Sequence, residues 1–246
     1  MNECIIYAAG YTPAMGYCIQ YLKQAGFTIL SEPTPQVTHL LLPVPSFAPD
    51  GSIIGGGNLS TLLTLLPKDI TVIGGNLDHP DLIDYTTIDL LENPTYLAEN
   101  AKITAYCAVR LASNQLPVIL DNCKVLVIGW GRIGKTLSRL LKQMGAQVTV
   151  CSRQESNRSL LAALGYGAVD FPTVDLAEYR LIFNTVPTML FPACPGNGLK
   201  IDLASRLGLG APDVIWARGL PGKDAPESSG NLVFQILLPI LRKESL

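Results

Sequence analysis

The sequence predicts an α/β protein made of two parallel, doubly wound sheets with a long helix between them. Short apolar runs alternate with segments of helical spacing along the chain, and this alternation is typical of β–α units with right-handed crossovers. The chain of 246 residues is 48% hydrophobic and only 15% charged. It can therefore bury a sizeable core and cover both faces of parallel sheets.

The first 93 residues are expected to form a smaller, flavodoxin-like domain. Apolar runs predict strands at 3–9, 27–30, 38–44 and 70–73, and helical spacing predicts helices at 12–25 and 59–66. Gly26 closes the first helix, and prolines between 43 and 49 open a loop. We expect this domain to carry the substrate and catalytic groups if the chain is an enzyme.

Residues 94–116 predict a connecting helix. Apolar and small residues recur at helical spacing on one face, and the opposite stripe contains Glu99, Lys102, Tyr106 and Arg110. Such a polar stripe either faces water, as most do, or lines a cleft.

The second predicted domain, residues 117–226, begins with the most informative motif of the chain. A buried strand at 124–128 runs into Gly129-Trp-Gly131-Arg-Ile-Gly134, and an amphipathic helix follows to Met144. In this setting G-x-G-x-x-G is the Rossmann dinucleotide fingerprint, although a plain βα turn is the alternative. Its backbone then holds a pyrophosphate at the helix start, through Gly129, Trp130, Gly131, Arg132, Ile133 and Gly134.

The next strand, 145–151, ends in Ser152-Arg153-Gln154, where a coenzyme's adenine ribose would lie. A hydroxyl and a guanidinium suit a 2′-phosphate, so the pattern predicts NADP in preference to NAD. Glu155 is a possible acidic substitute, and Arg153 could instead be an ordinary solvated charge.

Further strands are predicted at 168–171, 181–184, 199–203 and 214–217. Loops after parallel strands gather at one edge of the sheet, so Asn184, Thr185, Val186 and Pro187 are expected either to line the coenzyme site or to form a plain turn. An apolar helix at 232–241, broken or kinked by Pro239, closes the chain. The segment 227–246 is expected to pack back between the domains.

Several function classes are unlikely on composition. The formal charge of −2 gives no electrostatic footprint for nucleic acid or a membrane surface. The six cysteines are widely spaced, so we expect free thiols in a cytoplasmic protein and no metal site. The sequence lacks G-x-S-x-G and H-E-x-x-H, and its only histidines, His39 and His79, lie in the first domain.

The second half resembles the A subunit of dipicolinate synthase. The resemblance is carried by residues 127–134, by Asn184-Thr-Val-Pro-Thr-Met-Leu190, by Asp202-Leu-Ala-Ser-Arg206 and by Gly219-Leu-Pro-Gly222 with Gly230. Pro94-Thr-Tyr-Leu-Ala-Glu99 is similar to the start of that family's connecting helix. The chain departs from the family by its shorter N-terminal part and by Asn100 and Glu227, where a glycine and a lysine are expected.

The resemblance implies an NADP-dependent oxidation of dihydrodipicolinate, or of a related small dicarboxylate, in spore-forming bacteria. It implies a two-domain enzyme, with Glu99 and Lys102 as candidate catalytic residues and Ser205 and Arg206 as candidate substrate anchors. A second, flavoprotein-like subunit is the implied partner. The low surface charge and the closing apolar helix also favour a homodimer.

Two other functions stay open at this stage. The chain could be a dinucleotide-binding regulatory or scaffold subunit with little catalysis of its own, because acid and base residues are scarce. A shikimate-dehydrogenase-like enzyme is weaker, since its Lys–Asp pair would have to be the adjacent Lys68-Asp69.

Overall fold

A computed structural model describes residues 4–244. They form two compact units, one containing the residues up to Asn100 together with those from Pro221 onward, the other Ala101–Leu220. This division falls inside the connecting helix, whereas the sequence predicts boundaries on either side of it. The segment after Pro221 belongs to the first unit because its main helix packs on a helix of that unit.

The first unit contains a five-stranded sheet in the order β2-β1-β3-β4-β5, with every neighbouring pair parallel. This is the flavodoxin-like order, as predicted. Its elements are β1 Ile5–Ala8, α1 Pro13–Gln24, β2 Thr28–Leu30, β3 His39–Leu41, α2 Leu59–Leu63, β4 Thr71–Gly74 and β5 Thr86–Asp89. The edge strand β5 is not evident from the sequence because its first residues are threonines that face solvent.

The long helix α3 covers Pro94–Gln115, close to the predicted 94–116. Its predicted apolar face is buried through small side chains such as Ala105 and Ala108. All four residues of the predicted polar stripe, Glu99, Lys102, Tyr106 and Arg110, are exposed.

The second unit contains a six-stranded sheet in the order β11-β10-β9-β6-β7-β8. Numbered from the glycine-motif strand, this is the 3-2-1-4-5-6 order of a Rossmann domain, which confirms the predicted fold. Its elements are β6 Lys124–Ile128, α4 Arg132–Gln143, β7 Gln147–Cys151, α5 Glu155–Ala163, β8 Gly167–Val169, β9 Leu181–Asn184, β10 Leu199–Asp202 and β11 Ile215–Trp216. Helix α5 is not evident from the sequence because only Leu161 of its nine residues is buried.

Two helices complete the chain, α6 Leu220–Asp224 and α7 Pro226–Glu244. Helix α7 packs along α1, and their backbones are so close at Gly230 that a Cβ there would overlap the carbonyl oxygen of Ala14. The helix runs through Pro239 without a break, so of the predicted break or kink the break is wrong. Burial of Leu237 and Leu241 stabilises the helix on both sides of the proline.

None of the helices in residues 4–244 has the length and hydropathy needed to cross a membrane. All six cysteines are free and buried, and no cluster of metal-binding side chains occurs in this part of the chain.

Candidate functional site

The glycine turn after β6 has the backbone geometry that its sequence predicts. Gly129 has φ +103°, a left-handed conformation that favours glycine, and a Cβ there would lie 2.5 Å from the Thr185 hydroxyl. That hydroxyl donates a hydrogen bond to the carbonyl of Ile128 at 2.8 Å. Gly129 therefore lets the chain turn tightly against the end of β9.

The other two glycines of the motif have different roles. A Cβ at Gly134 would overlap the carbonyl oxygen of Gly129, so this glycine lets α4 start close to the turn. A Cβ at Gly131 would meet no atom within 4 Å. The space beside Gly131 is thus open, as a pyrophosphate would require.

The start of α4 has donors to offer to an anion. Gly131 is its N-cap and makes no side-chain capping bond. Among residues 4–244, no acceptor is bonded to the amides of Arg132, Ile133 and Gly134. Free first-turn amides and the positive end of the helix dipole bind phosphate oxygens, so these groups fit a dinucleotide.

Trp130 lies between the first two glycines and is half-buried. Its ring meets the Tyr166 ring edge-on at a centroid distance of 5.8 Å. Its indole Nε1 is buried and has no hydrogen-bond partner in the described part of the chain. Arg132, two residues after Trp130, is exposed.

The end of β7 places the residues predicted to select the coenzyme. Ser152 is 5% exposed, and its hydroxyl accepts a bond from the Asn157 amide at 3.4 Å. Arg153 is exposed, and no ion pair of its guanidinium is found within residues 4–244. The side chain of Arg153 is therefore available to an anion in solution.

Arg158 is a second arginine at this turn, and sequence reasoning missed it. It donates to the carbonyls of Ser152 and Arg153 at 2.8 Å each and lies 3.4 Å from Asp170. These bonds fix the backbone that presents Arg153. The only signal in the sequence was its position in the first turns of a helix that the apolar pattern does not predict.

Asn184, expected to line the coenzyme site, is 0% exposed. Its side chain accepts from the Val186 amide at 3.1 Å and donates to the Val186 carbonyl at 3.0 Å and to Asp202 at 2.9 Å. Asn184 thus fixes the conformation of the loop after β9 from the buried side of that loop. Thr185 and Val186 are half-buried, and Pro187 is exposed.

Asp202, at the end of β10, is the second residue that sequence reasoning missed. Its buried carboxylate accepts bonds from the amides of Ala204 at 2.9 Å and Gly208 at 2.7 Å, as well as from Asn184. One carboxylate therefore holds the loops after β9 and β10 together. Neighbouring carboxyl-edge loops are where ligands of such sheets bind.

The remaining candidates lie on the surface of their elements. Ser205 and Arg206 are exposed on the loop that Asp202 holds. The Trp216 indole donates to the Ala204 carbonyl at 3.0 Å and supports the same loop. Glu99 and Lys102 are exposed one turn apart on α3. Their roles as catalytic groups and anchors stay predictions.

Comparison with known proteins defines the class. Residues 101–189 match the model of the NAD-binding domain of D-isomer-specific 2-hydroxyacid dehydrogenases. The glycine turn lies within this matched region. The six-stranded sheet begins there and continues beyond it with β10 and β11. The family-model match and the sheet order confirm the predicted Rossmann domain of the kind that binds NAD in those dehydrogenases.

The predicted resemblance to the A subunit of dipicolinate synthase is also confirmed. The chain is 27% identical over 171 residues to that protein of Bacillus subtilis (strain 168), and the match covers 63% of this chain. The matched stretch spans 57% of the relative's length, so the likeness in sequence is partial. The low identity fits a divergent relative.

Solved structures extend the likeness in fold to almost the whole chain. The A subunit of dipicolinate synthase from Bacillus halodurans has a TM-score of 0.81 at 19% identity, covering 98% of both chains. The Bacillus subtilis dipicolinate synthase structure has a TM-score of 0.76 at 20% identity, covering 99% of this chain and 98% of that one. Salmonella D-lactate dehydrogenase is more distant, at a TM-score of 0.57 and 13% identity over 98% of this chain and 97% of that one.

Proposed function

We propose that this chain is an NADP-dependent dehydrogenase that oxidises dihydrodipicolinate or a related small dicarboxylate. The observation that carries the proposal is the bare start of α4, where Gly131 leaves open space beside three amides without acceptors among residues 4–244. When bound there, the coenzyme supplies a nicotinamide ring that accepts a hydride from the substrate. The Bacillus relatives, which are dipicolinate synthases, suggest the substrate class.

The preference for NADP is supported by the turn after β7. Arg153 is exposed there, and Arg158 fixes the backbone that presents it. Because a guanidinium forms charge-assisted, bidentate bonds with phosphate, Arg153 is the group we assign to the 2′-phosphate. In an NAD-binding site, an acidic side chain near this strand end binds the ribose 2′-OH. Here Ser152 occupies that position, and its hydroxyl can donate to the 2′-phosphate.

Titration of the protein with NADPH and NADH tests this preference. Arg153→Ala should weaken NADPH binding by about 10- to 100-fold, since a hydrogen bond to a charged group contributes about 1.5–3 kcal/mol. NADH binding should change little. Arg139→Ala, which removes another exposed arginine of the same unit, is the control. Equal affinities of the wild type for both coenzymes would contradict the assignment.

The chemistry of the substrate needs an anchor for a carboxylate and a group that takes a proton. We assign Arg206 and Ser205 to the carboxylate, because Arg binds carboxylates through two parallel bonds. Glu99 is assigned to the proton, and Lys102, one turn further along α3, to the role of its positively charged neighbour. All four side chains are exposed.

NADPH formation on dihydrodipicolinate is the direct assay. Glu99→Gln should lower kcat by about 100-fold or more, as removal of a general base does. Glu92→Gln, at an exposed glutamate shortly before α3, should leave kcat unchanged. Full activity of the Glu99 variant would remove this residue from the mechanism.

A second candidate function is coenzyme-dependent regulation or scaffolding with little catalysis. It is favoured by the lack of histidine in the sequence of residues 101–189, the coenzyme-binding match. Tight NADPH binding without turnover, both alone and with a flavoprotein-like second subunit, would select it. The homodimer, the pairing with that second subunit, and the cytoplasmic location are likewise proposals, and light scattering of the purified protein tests the first.

A further inference from the structure

The two units carry opposite charges, although the chain as a whole is nearly neutral. The first unit contains thirteen acidic and five basic residues, which give a formal charge of −8. The second unit contains seven acidic and thirteen basic residues, which give a formal charge of +6. A chain with such a separation of charge carries two complementary surfaces, and each can attract the opposite surface of another copy.

The positive charge of the second unit is concentrated around α4. Residues 122–154 contain six lysines and arginines and no aspartate or glutamate. Lys135, Arg139 and Lys142 recur at helical spacing and are exposed, whereas Leu137 on the inner face is fully buried. The outer face of α4 is therefore basic along its length.

Two of these basic side chains are available to another molecule. Within residues 4–244, neither Lys135 nor Arg139 forms an ion pair. The Lys135 ammonium lies 6.0 Å from the centroid of the Trp130 ring, on the same side of the helix. Lys142 differs, because it donates to two carbonyls just after α5 at 2.8 Å each. The free charge of the face thus comes from Lys135 and Arg139, which lie one helical turn apart.

The first unit contains an acidic groove between α2 and the segment 80–85 that leads into β5. Its volume is about 390 Å³, so a long side chain of another molecule has room in it. Residues 69–92 around it contain six aspartates and glutamates and no lysine or arginine. The groove lies at the edge of the sheet where β4 and β5 begin, opposite to the edge at which ligands of parallel sheets bind.

The lining of the groove combines carboxylates with apolar surface. Asp81 and Asp84 line it and are exposed, and Asp84 forms no ion pair within residues 4–244. Lys68, a cation of the same lining, donates to the Tyr85 hydroxyl at 3.3 Å. Ile83, between the two aspartates, is 85% exposed. The groove therefore offers both an anionic and an apolar surface to a long basic side chain.

We infer that the outer face of α4 of one copy docks on the acidic groove of a second copy, with Arg139 in the groove beside Asp84. A single exposed ion pair contributes little, so the aliphatic stems of the basic side chains also cover Ile83. Because the two surfaces are unlike, the copies associate head to tail. The inference rests on the proposed self-association, to which it gives an interface, and not on the coenzyme or the substrate.

A nucleic acid is the other partner that a basic helix beside aromatic rings can bind. Two observations favour a second copy. The charge of −8 on the first unit repels a polyanion. A second copy also accounts for the acidic groove, which a nucleic acid would leave unused.

Analytical ultracentrifugation of the wild type at two salt concentrations is the first test. Between about 0.1 M and about 1 M NaCl the Debye length falls from about 10 Å to about 3 Å. The dissociation constant of self-association should therefore rise by about tenfold or more. Association that does not weaken with salt, or a wild type that stays monomeric at low salt, overturns the inference.

Charge reversal tests the two surfaces separately. Arg139→Glu and Asp84→Lys should each weaken self-association by about tenfold or more, because like charges then face each other. Lys124→Glu and Glu32→Lys are the matched controls, since they change the net charge equally at exposed positions outside α4 and the groove lining. They should change the dissociation constant by less than about threefold. Equal losses in the control variants overturn the inference.

An equimolar mixture of the Arg139→Glu and Asp84→Lys proteins is the sharpest test. The first retains an intact groove, and the second retains an intact basic face. The mixture should therefore associate about tenfold more tightly than either protein alone. A mixture that associates no better than its components overturns the inference.

Two further measurements separate the alternatives. A monomeric wild type that binds a labelled single-stranded oligonucleotide through Arg139, measured by fluorescence anisotropy, overturns the inference in favour of a nucleic acid. Both charge-reversal variants should bind NADPH like the wild type, because the start of α4 is unchanged. Self-association that follows the charge pattern, in a protein that binds NADPH without turnover, keeps the interface and overturns the dehydrogenase.

Discussion

The two units share an architecture and differ in what their switch points offer a ligand. In the first unit Thr12 caps α1 with its own hydroxyl, and Pro13 removes the next amide. In the second unit Gly131 leaves the start of α4 uncapped, and three amides there have no acceptor among residues 4–244. The start of α1 therefore has few free donors, whereas the start of α4 has three free backbone amides that can bind an anion. Helix capping therefore distinguishes the helix start that can bind a diphosphate from the one whose donors are already used.

The substitution Gly131→Val tests this difference between the two units most directly, and we expect it to have the largest effect. The side chain would fill open space without a clash, so the fold should persist while the pyrophosphate is excluded. We expect NADPH affinity to fall by about 100-fold or more, or ~3 kcal/mol, in a fluorescence titration. Gly222→Val, at a glycine of the first unit where a Cβ would likewise meet no atom within 4 Å, should bind NADPH like the wild type. Equal losses in both variants would mean that the effect of Gly131→Val is not specific to the pyrophosphate site.

A second test compares two aspartates at strand ends. Asp202 is fully buried and accepts three bonds, whereas Asp89 at the end of β5 is half-buried and accepts from the amides of Leu77 and Leu91 at 2.8 Å each. Asp202→Ala should lower the free energy of unfolding by about 3 kcal/mol, since buried donors lose their acceptor. Asp89→Ala should cost less because water can replace the carboxylate. Urea denaturation measures both, and a larger effect at Asp89 would contradict the argument.

The smallest effect is expected from an ion pair of the second unit. The buried Lys200 donates to Asp213 at 2.8 Å, and this bond holds the pKa of Asp213 below its usual value. A lowered folded-state pKa stabilises the protein above the ordinary aspartate pKa, and this contribution is lost as the pH falls through the folded-state value. Because Asp213 is 58% exposed, we expect at most about 1 kcal/mol.

Thermal unfolding of wild type and Asp213→Asn over a range from acid to neutral pH measures this pair. The two proteins should differ near neutral pH and converge at the acid end. A difference that grows on acidification would reverse the sign of the argument.

The sequence was sufficient for most strands of both sheets and for the glycine turn, because apolar runs and obligatory glycines leave few alternatives. Elements with little apolar surface, β5 and α5, escaped the pattern. The same limit applies at the site. Gly129, Gly131 and Gly134 could be assigned from their spacing and their place between a strand and a helix. Asp202 and Arg158, in contrast, act through bonds to residues that only the fold brings near.

Asn184 illustrates the difference between position and direction. Its place at the end of β9 was predicted, but a strand end does not reveal whether a side chain points to the ligand or supports the loop. Its bonds to Val186 and Asp202 settle its direction.

The pairing of α7 with α1 has a consequence for synthesis. The Cys4 thiol donates to the carbonyl of Leu241 at 3.5 Å, so residues made at opposite ends of translation meet in one hydrophobic layer. The second unit is contiguous in sequence and can fold during translation. The first unit is completed only by α7, so we expect the second unit to fold earlier during translation.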